Sequence, residues 1–170
     1  GNMVSLIQSN YRGMGSGMTP PGLGFVLQDR GELFSLEEGH FNVYEPGKRP
    51  FHTIIPAFVT KEGEPLISFG VMGGGMQPQG HVQIILNIID FGMNMQEAVD
   101  AKRFHHQWKP DRIYFEEEGA DTTLMQMLED MGHNTRLRSS IGRVDAIRVS
   151  DDGRLEAGAD PRGDDMASGY

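Results

Sequence analysis

Three consecutive glycines, Gly73-Gly74-Gly75, have no side chains over their backbone and follow an apolar run, Pro65 to Gly70. A ligand can therefore lie directly on their peptide N–H groups, and positive φ costs little there. A bent run of amides forms a concavity that binds anions, and such a loop stabilises the oxyanion of acyl transfer. The alternative is a tight turn packed against another backbone, and the glycines alone favour that turn.

Two adjacent histidines, His105 and His106, are candidate metal ligands. Neighbouring residues of a strand point to opposite faces, and the spacing of zinc-binding histidine pairs is absent from the sequence. We therefore expect packing beside Trp108 and a hydrogen bond to the backbone, and we predict neither a metal nor another cofactor. The run from Glu116 to Glu118 is interpreted as a solvated turn.

Nucleophilic residues are few in this sequence. Cysteine is absent, which excludes thiolate chemistry and disulfides within the chain. No serine lies in a Gly-x-Ser-x-Gly elbow. Ser9 and Asn10 follow a predicted strand and precede a glycine-rich loop, where short polar side chains can position a substrate or a nucleophile. Equally, they can satisfy the turn by local hydrogen bonds, and their position alone favours this second interpretation.

The composition is that of an ordinary soluble domain with its own core. The chain has 170 residues, of which 38% are hydrophobic and 23% charged. A net charge of -9 with scattered basic residues argues against a general nucleic-acid partner. Apolar runs are shorter than the roughly 20 residues that span a bilayer, so we predict no membrane association. The start, Gly1 to Ile7, has the character of the middle of a protein and leaves the cellular compartment open.

Hydrophobic periodicity predicts the elements that must position these residues. Strands are predicted over residues 3–9, 24–28, 53–60, 65–70, 113–117, 144–149 and 155–159, and helices over residues 82–91, 94–101 and 121–131. Pro56 predicts an edge or interrupted strand, and Asn94 with Glu97 has the spacing of a capping box. The order of strands, helices and strands indicates an α+β layered fold in a single domain, residues 1–170.

Several runs together resemble one family. In chain order they are Gly1-Asn2-x-Val4-Ser5, Gly15-Ser16, Glu45-Pro46-Gly47-Lys48-Arg49-Pro50, Gly73-Gly74, Asn87-x-Ile89-Asp90-x-Gly92, Ala98-Val99-Asp100-Ala101-x-Arg103-x-His105-His106-Gln107, Gly132-His133, Ile141-Gly142, Ala157-Gly158-x-Asp160-Pro161-Arg162 and Gly169-Tyr170. The ordered set resembles the small-subunit portion of gamma-glutamyltranspeptidases and related acylases.

This resemblance implies the fold of N-terminal-nucleophile hydrolases, a four-layer αββα sandwich. In that family a precursor cleaves itself, and the new N-terminal threonine attacks an amide carbonyl to form an acyl-enzyme, with its own amino group as base. Water or an amine then takes the acyl group. Gly73 and Gly74 match the family's oxyanion-binding pair, which favours the anion-binding interpretation. The implied partners are the large subunit of the same precursor and a small gamma-glutamyl or acyl-amide substrate.

The family's threonine matches no position in the chain and is expected roughly ten residues before Gly1, judged from strand geometry and motif spacing. We therefore expect this polypeptide to be a C-terminal portion of the small subunit, without the nucleophile strand or the large subunit, and inactive by itself. Apolar surface left uncovered in this way predicts possible self-association into a homo-oligomer.

Other family roles match less well. Ser9 falls on a second threonine that supports the nucleophile, and Asn10 matches a family asparagine only with a one-residue shift. Arg30 and Leu33 replace a glutamine and the acidic residue that holds the substrate's α-amino group. His52 and Thr53 replace the serines that bind the α-carboxylate.

Leucine accepts no hydrogen bond from an ammonium group, and arginine repels one. We therefore expect an acyl group without an α-ammonium, of the glutaryl type; the alternative is ordinary gamma-glutamyl hydrolysis with different pocket residues. Outside enzymes, the rival interpretations are a non-catalytic binding module on the same scaffold and a metal-binding domain.

Overall fold

The computed structural model describes residues 1–169, which form two units by their internal contacts. The larger unit contains residues 1–6 and 55–169, and the smaller unit contains residues 7–54. Tyr170, the last residue of the family-like runs, lies outside the described residues. Within residues 1–169, helices fall short of the length and apolar character needed to cross a membrane.

The regular elements belong to the larger unit. They are β1 (Pro56–Lys61), β2 (Glu64–Met72), α1 (Gln77–Ile89), α2 (Met95–Asp100), β3 (Phe104–Gln107), β4 (Arg112–Glu116), α3 (Thr122–Asp130), β5 (Thr135–Arg138), β6 (Arg143–Val149) and β7 (Leu155–Gly158). A 3-10 turn, Gly74–Met76, joins β2 to α1. This mixture of strands and helices confirms the predicted α+β class.

A four-stranded antiparallel sheet with the order β1-β2-β6-β7 forms the base of this unit. β1 lies at its edge and begins at Pro56, which confirms the edge position predicted from that proline. The β1–β2 turn contains Glu62 and Gly63 with positive φ, 55° and 91°. Such a turn matches the twist of a tight hairpin and therefore fixes the register of β2.

Helices α1 and α2 pack on this sheet and enclose the core. Alternate residues of β2 face them, which is the period-two pattern of a strand buried on one side. The core consists of Ile67, Phe69, Val71, Met76, Ile84, Ile88, Met95, Ala98, Val99, Ile141, Val144 and Ala146. The predicted capping box of α2 is confirmed, because Asn94 accepts from the Glu97 amide and Glu97 accepts from the Asn94 amide.

A second sheet has the order β3-β4-β5, with β3 and β4 antiparallel and β4 and β5 parallel. Sequence analysis did not predict β5, because this four-residue strand contains two arginines and a single apolar residue, Leu137. Helix α3 begins at the Asp121 side chain, which accepts from the Thr123 and Leu124 amides. This confirms the predicted amphipathic helix to within one residue at each end.

Three predictions about the elements are wrong. Residues 3–9 form no strand, and Val4 and Leu6 are 79% and 86% exposed. This segment bonds to β2 through the Ser5 hydroxyl, which donates to the Phe69 carbonyl, and through its Val4 carbonyl, which accepts from the Ser68 hydroxyl. Residues 24–28 also form no strand. Helix α1 spans Gln77–Ile89 rather than the predicted residues 82–91, and its outward residues Val82, Leu86 and Ile89 are exposed, so it is not buried on all sides.

The smaller unit has little regular structure. Its 3-10 turn, Arg30–Leu33, follows Asp29, and a single bridge joins Ser35 to Val43. Backbone bonds across its glycine-rich loop, such as Ser16 N–H to Leu27 O at 2.9 Å, replace a sheet. Local turns rather than a hydrophobic core therefore hold this unit together.

Candidate functional site

The glycine turn, residues 73–76, follows directly after β2. Gly73 has φ 142° and Gly74 has φ 63°. A Cβ on Gly73 would lie 2.8 Å from Met76 Cγ and 2.9 Å from Gly142 Cα, whereas a Cβ on Gly74 would meet open space. Close approach therefore requires glycine at position 73, and backbone conformation favours it at position 74.

The amides of the glycine turn are available to a ligand. Gly73 and Gly74 are exposed, and among the described residues neither N–H donates in a ladder or turn hydrogen bond. The Gly74 carbonyl instead accepts from the backbone and the side chain of Gln77. Helix α1 begins immediately afterwards, so the positive end of a 13-residue helix lies beside these two donors. The turn can therefore stabilise a negative oxygen.

A cavity of about 350 Å³ opens beside the glycine turn. One side is the face of the second sheet, and the other is formed by Gly73 and the segment before β6. Its polar lining comes from His105, Gln107, Tyr114, Arg138 and Ser140. The Arg138 guanidinium lies 3.9 Å from the centre of the Tyr114 ring, a cation–π contact that orients it.

His105 is buried at this cavity, with 6% of its surface exposed. Neither ring nitrogen has a hydrogen-bond partner within residues 1–169. Burial lowers the pKa of His105, and the positive charge of Arg138 and the neighbouring His106 lower it further. The ring is therefore neutral near pH 7. The expected backbone hydrogen bond is not made, and Trp108 is 79% exposed rather than packed.

Four buried ionic side chains form a charge-balanced cluster: Arg103, Glu116, Asp160 and Arg162. Arg103 pairs with Asp160, and Arg162 pairs with both carboxylates. Arg162 also donates to the carbonyl oxygens of Val99, Asp100 and Ala101, which closes the end of α2. The interpretation of Glu116 as part of a solvated turn is wrong, because this residue is 2% exposed.

The environment of the cluster keeps its acids ionised. Burial alone would raise the pKa of Glu116, but hydrogen bonds from Arg162 and from the Arg103 and Ile141 amides lower it below the ordinary value. Burial likewise opposes ionisation of Asp160, whose pKa is lowered by hydrogen bonds from Arg103 and Arg162. Two cations therefore face two carboxylates, and the charge is matched.

This cluster supports the glycine turn through one hydrogen bond. Glu116 Oε1 accepts from the Ile141 amide at 2.8 Å. The next residue, Gly142, has φ 69° and packs against Gly73. A Cβ on Gly142 would lie 2.6 Å from the Met72 carbonyl oxygen, so this contact also requires glycine. The ionic cluster thus holds the surface on which the turn rests.

The predicted substrate-binding residues of the smaller unit meet in part. Arg30 Nε donates to Thr53 Oγ1 at 2.6 Å, and Arg30 Nη1 donates to the Ser9 carbonyl oxygen at 2.9 Å. Arg30 Nη2 is buried without a hydrogen-bond partner within residues 1–169. We call Ser9, Arg30 and Thr53 the Arg30 cluster. The Ser9 hydroxyl accepts from the Tyr11 amide at 2.9 Å and keeps its proton available for donation.

Within residues 1–169, the side chains of Asn10, Leu33 and His52 make no hydrogen bond to the Arg30 cluster. The Asn10 carbonyl accepts from the Asp29 amide at 3.2 Å, so it closes a loop. His52 is exposed, and Leu33 is half-buried with its carbonyl bonded to Asn42. Gly73 and Gly74 belong to the larger unit.

The histidine pair does not form a metal centre. His105 and His106 lie on opposite faces of β3, and His106 Nε2 is 2.9 Å from Asp111 Oδ1. Within residues 1–169, histidine, aspartate and glutamate side chains form no group of three suited to holding an ion.

Comparison with known sequences identifies the family. The gamma-glutamyltranspeptidase family matches residues 1–170. The chain belongs to the gamma-glutamyltranspeptidase family.

Two curated relatives of this chain have names that refer to different substrates. The glutathione hydrolase-like YwrD proenzyme of Bacillus subtilis is 43% identical over 180 residues, which cover 99% of this chain and 34% of that protein. The oxamate amidohydrolase proenzyme of Klebsiella pneumoniae is 34% identical over 178 residues, which cover 100% of this chain and 34% of that protein. The chain thus spans about a third of the length of these curated relatives.

Solved structures confirm the predicted fold. The gamma-glutamyltranspeptidase of Pseudomonas nitroreducens, complexed with L-DON, superposes with a TM-score of 0.88 at 31% identity, covering 100% of this chain and 94% of that one. The cephalosporin acylase of Bacillus halodurans superposes with a TM-score of 0.86 at 42% identity, covering 96% of this chain and 32% of that one. The chain therefore has the sandwich fold of gamma-glutamyltranspeptidases, and its likeness extends to an acylase.

Sequence reasoning missed the role of Gly142 and Glu116 beside the glycine turn. Ile141-Gly142 and Asp160-Pro161-Arg162 both lay within the family-like runs. That match could have signalled them, but only the structure shows that one Glu116 carboxylate joins the two runs.

Proposed function

We propose that the complete protein is an N-terminal-nucleophile amidohydrolase or acyltransferase that cleaves gamma-glutamyl or related acyl amides through an acyl-enzyme. The observation that carries this proposal is the pair of adjacent amides of Gly73 and Gly74 beside the start of α1, which donate no ladder or turn hydrogen bond within residues 1–169. These donors stabilise the carbonyl oxygen as it becomes negative. Names of the relatives support the reaction class, because both are proenzymes of amide-cleaving enzymes.

The nucleophile is the family's N-terminal threonine, which matches no position of residues 1–170. Its hydroxyl oxygen attacks the amide carbon while its amino group takes the proton and passes it to the leaving amine. The C–N bond breaks and an ester remains on the threonine. Water or an amine then attacks the ester carbon, and the threonine hydroxyl is restored. The large subunit of the same precursor completes the pocket, and Ser9 supports the nucleophile.

The Arg30 cluster sets the acyl preference. Arg30 places a buried, unpartnered N–H group among residues that match the family's substrate pocket. Guanidinium attracts a carboxylate and repels an ammonium group, while Leu33 offers no acceptor to an ammonium. Asn10, His52 and Thr53 complete the polar lining. We therefore propose that the preferred substrate is a dicarboxylic monoamide of the glutaryl type. Oxamate, named for one relative, is likewise a dicarboxylic monoamide without an α-ammonium.

The test compares glutaryl-p-nitroanilide with gamma-glutamyl-p-nitroanilide in the complete, processed protein. We expect kcat/KM to favour the glutaryl amide by about tenfold or more, because one charged hydrogen bond contributes ~1.5–3 kcal/mol. Leu33→Asp restores the acceptor and should shift the ratio toward the gamma-glutamyl amide by about tenfold or more. Leu36→Asp is the matched control, because Leu36 is 91% exposed in the same unit.

Two outcomes separate the parts of the proposal. Glutathione hydrolysis at least tenfold faster than glutaryl hydrolysis rejects the acyl preference and leaves ordinary gamma-glutamyl hydrolysis. Absence of turnover with every amide rejects the enzyme and favours a binding module that kept the scaffold.

A further inference from the structure

Tyr11 has an unusual backbone conformation in the smaller unit. Its φ is 75°, and the other non-glycine residue with positive φ among residues 1–169 is Glu62, in the β1–β2 turn. A large side chain is strained in this conformation, which glycine, asparagine and aspartate adopt more readily. Such strain persists only where the surrounding structure imposes it, and it is concentrated at functional sites. A turn alone does not explain a tyrosine at this position.

Asp29 holds the backbone on both sides of Tyr11. The Asp29 amide donates to the Asn10 carbonyl oxygen at 3.2 Å, and Asp29 Oδ1 accepts from the Arg12 amide at 3.2 Å. The Tyr11 amide itself donates to Ser9 Oγ at 2.9 Å. Three consecutive residues are thus tied to fixed partners. These bonds, rather than any preference of tyrosine, impose the strained conformation.

The Tyr11 ring contacts two guanidinium groups whose charges are matched differently. Its centre is 5.5 Å from Arg12 Cζ and 5.8 Å from Arg30 Cζ, distances at which an aromatic face attracts a cation. Arg12 forms an ion pair with Glu32, with 2.6 Å between Nη2 and Oε1. Arg30 meets no carboxylate within residues 1–169, and its Nη2 is buried without a hydrogen-bond partner. One of the two cations can therefore still take an anion.

We propose that Tyr11 is a positioning residue that determines acyl specificity, because its ring holds the Arg30 guanidinium with Nη2 directed at the free carboxylate of a dicarboxylic monoamide. This inference rests on the proposed function. Thr53 Oγ1 and the Ser9 carbonyl oxygen fix two other nitrogen atoms of the same guanidinium. The ring excludes water from the guanidinium, and the attraction between a guanidinium and a carboxylate is stronger where water is excluded.

The experiment compares Tyr11→Leu with Tyr11→Phe in the complete, processed protein, with glutaryl-p-nitroanilide as substrate. Both variants keep the strained backbone, so their difference isolates the ring. Tyr11→Leu should raise KM about three- to tenfold and change kcat less than about twofold, because a cation–π contact is lost. Tyr11→Phe keeps the aromatic face, so its KM should stay within about twofold of the unaltered value. Tyr44→Leu is the matched control, because Tyr44 lies in the same unit and packs against Phe34.

Two further measurements separate positioning from a general effect on folding. The anilide of 4-carbamoylbutanoic acid carries a neutral carboxamide in place of the carboxylate. Its inhibition constant should change less than about twofold in Tyr11→Leu, because the cation–π contact acts on the charged group. In the Arg30→Gln background, Tyr11→Leu should change the KM for the glutaryl amide less than about twofold, since the ring then has no cation to hold.

Each outcome supports or overturns the role of Tyr11. An unchanged KM in Tyr11→Leu, an equal rise in Tyr11→Phe, or an equal weakening of the carboxamide competitor overturns it. A further rise of KM in the Arg30→Gln background also overturns it. If the unaltered protein cleaves no amide, or cleaves glutathione faster than the glutaryl amide, the proposed function is rejected and the role of Tyr11 is rejected with it.

Discussion

Two groups of arginine side chains, one in each unit, differ in how their charge is matched: Arg103 is buried, whereas Arg30 is half-buried with one buried nitrogen atom. In the charge-balanced cluster, Arg103 and Arg162 face Glu116 and Asp160. In the Arg30 cluster, the guanidinium donates to the Thr53 hydroxyl and the Ser9 carbonyl and lies 5.8 Å from the centre of the Tyr11 ring, and it meets no carboxylate within residues 1–169. Both clusters leave buried nitrogen atoms of an arginine without partners, but only the second lacks a carboxylate altogether.

The difference supports a structural role for the charge-balanced cluster and is consistent with the binding role that we propose for the Arg30 cluster. Matched charges that also accept from the four backbone amides of Arg103, Ile141, Val144 and Arg162 stabilise the fold and hold Ile141 beside the glycine turn. A buried guanidinium nitrogen without a partner, such as Arg30 Nη2, costs free energy unless a further group accepts its hydrogen bond. For the Arg30 cluster, we infer that the completing group is the substrate's carboxylate.

The largest expected effect comes from breaking the balanced cluster. Arg162→Ala should lower the free energy of unfolding by about 3–5 kcal/mol, because Glu116 and Asp160 stay buried with fewer partners. Arg30→Ala should lower it by at most about 1.5 kcal/mol, since it leaves no carboxylate unpaired. Urea denaturation of the complete protein measures both. Equal losses would remove the distinction between the clusters, and Lys102→Ala controls for a surface ion pair with Glu118.

An effect of intermediate size tests whether the contact between Gly142 and the glycine turn matters for turnover. Gly142→Ala should lower kcat about 10–100-fold. The new Cβ would lie 2.6 Å from the Met72 carbonyl oxygen, so the backbone must move and the Gly73 and Gly74 amides lose their alignment with the reacting carbonyl. Gly153→Ala is the control: its φ of 81° is similar, but its Cβ meets open space in a distant hairpin. Both variants should lose about 1 kcal/mol of stability from backbone strain. If turnover falls equally in both, the contact with Gly73 has no special role.

The smallest expected effect is a loss of folding stability as the pH is lowered from neutral. Glu116 and Asp160 have pKa values below the ordinary 4.5 and 3.8, so the unfolded chain binds protons more readily than the folded one. Their stabilisation is complete above those ordinary values and disappears as the pH falls through the lower folded pKa. Urea denaturation from pH 7 to pH 3 should show this loss. Glu116→Gln should flatten the slope, and an unchanged slope would mean that other carboxylates cause acid unfolding.

Local signals in the sequence predicted local structure well. Asn94 with Glu97 placed the start of α2, and Pro56 placed an edge strand, because each effect depends on residues close along the chain. The segment from Met3 to Ser9 failed, since strand formation needs a backbone partner that an apolar run does not specify. β5 was missed because pairing with β4, not its own pattern, makes it a strand.

The residues of the candidate site could be predicted by matching positions to the family, but the contacts between them could not. Gly73 and Gly74 were found from glycine content and the family-like runs, and Arg30 with Thr53 from the same match. The bond between Arg30 and Thr53 spans 23 residues, and no periodicity encodes it. The glutamate run at Glu116 was misinterpreted because its cation, Arg162, lies 46 residues further along.

Folding order follows from how widely the balanced cluster is scattered along the chain. Glu116 meets Arg162 across 46 residues, and Arg103 meets Asp160 across 57. Closing loops of that length is slower than forming the β1–β2 hairpin. During synthesis the N-terminal segments emerge first. Gly73 and Gly74 therefore emerge from the ribosome well before residues 160–162, and the glycine turn of a nascent chain gains the support of the charge-balanced cluster only after those late residues arrive.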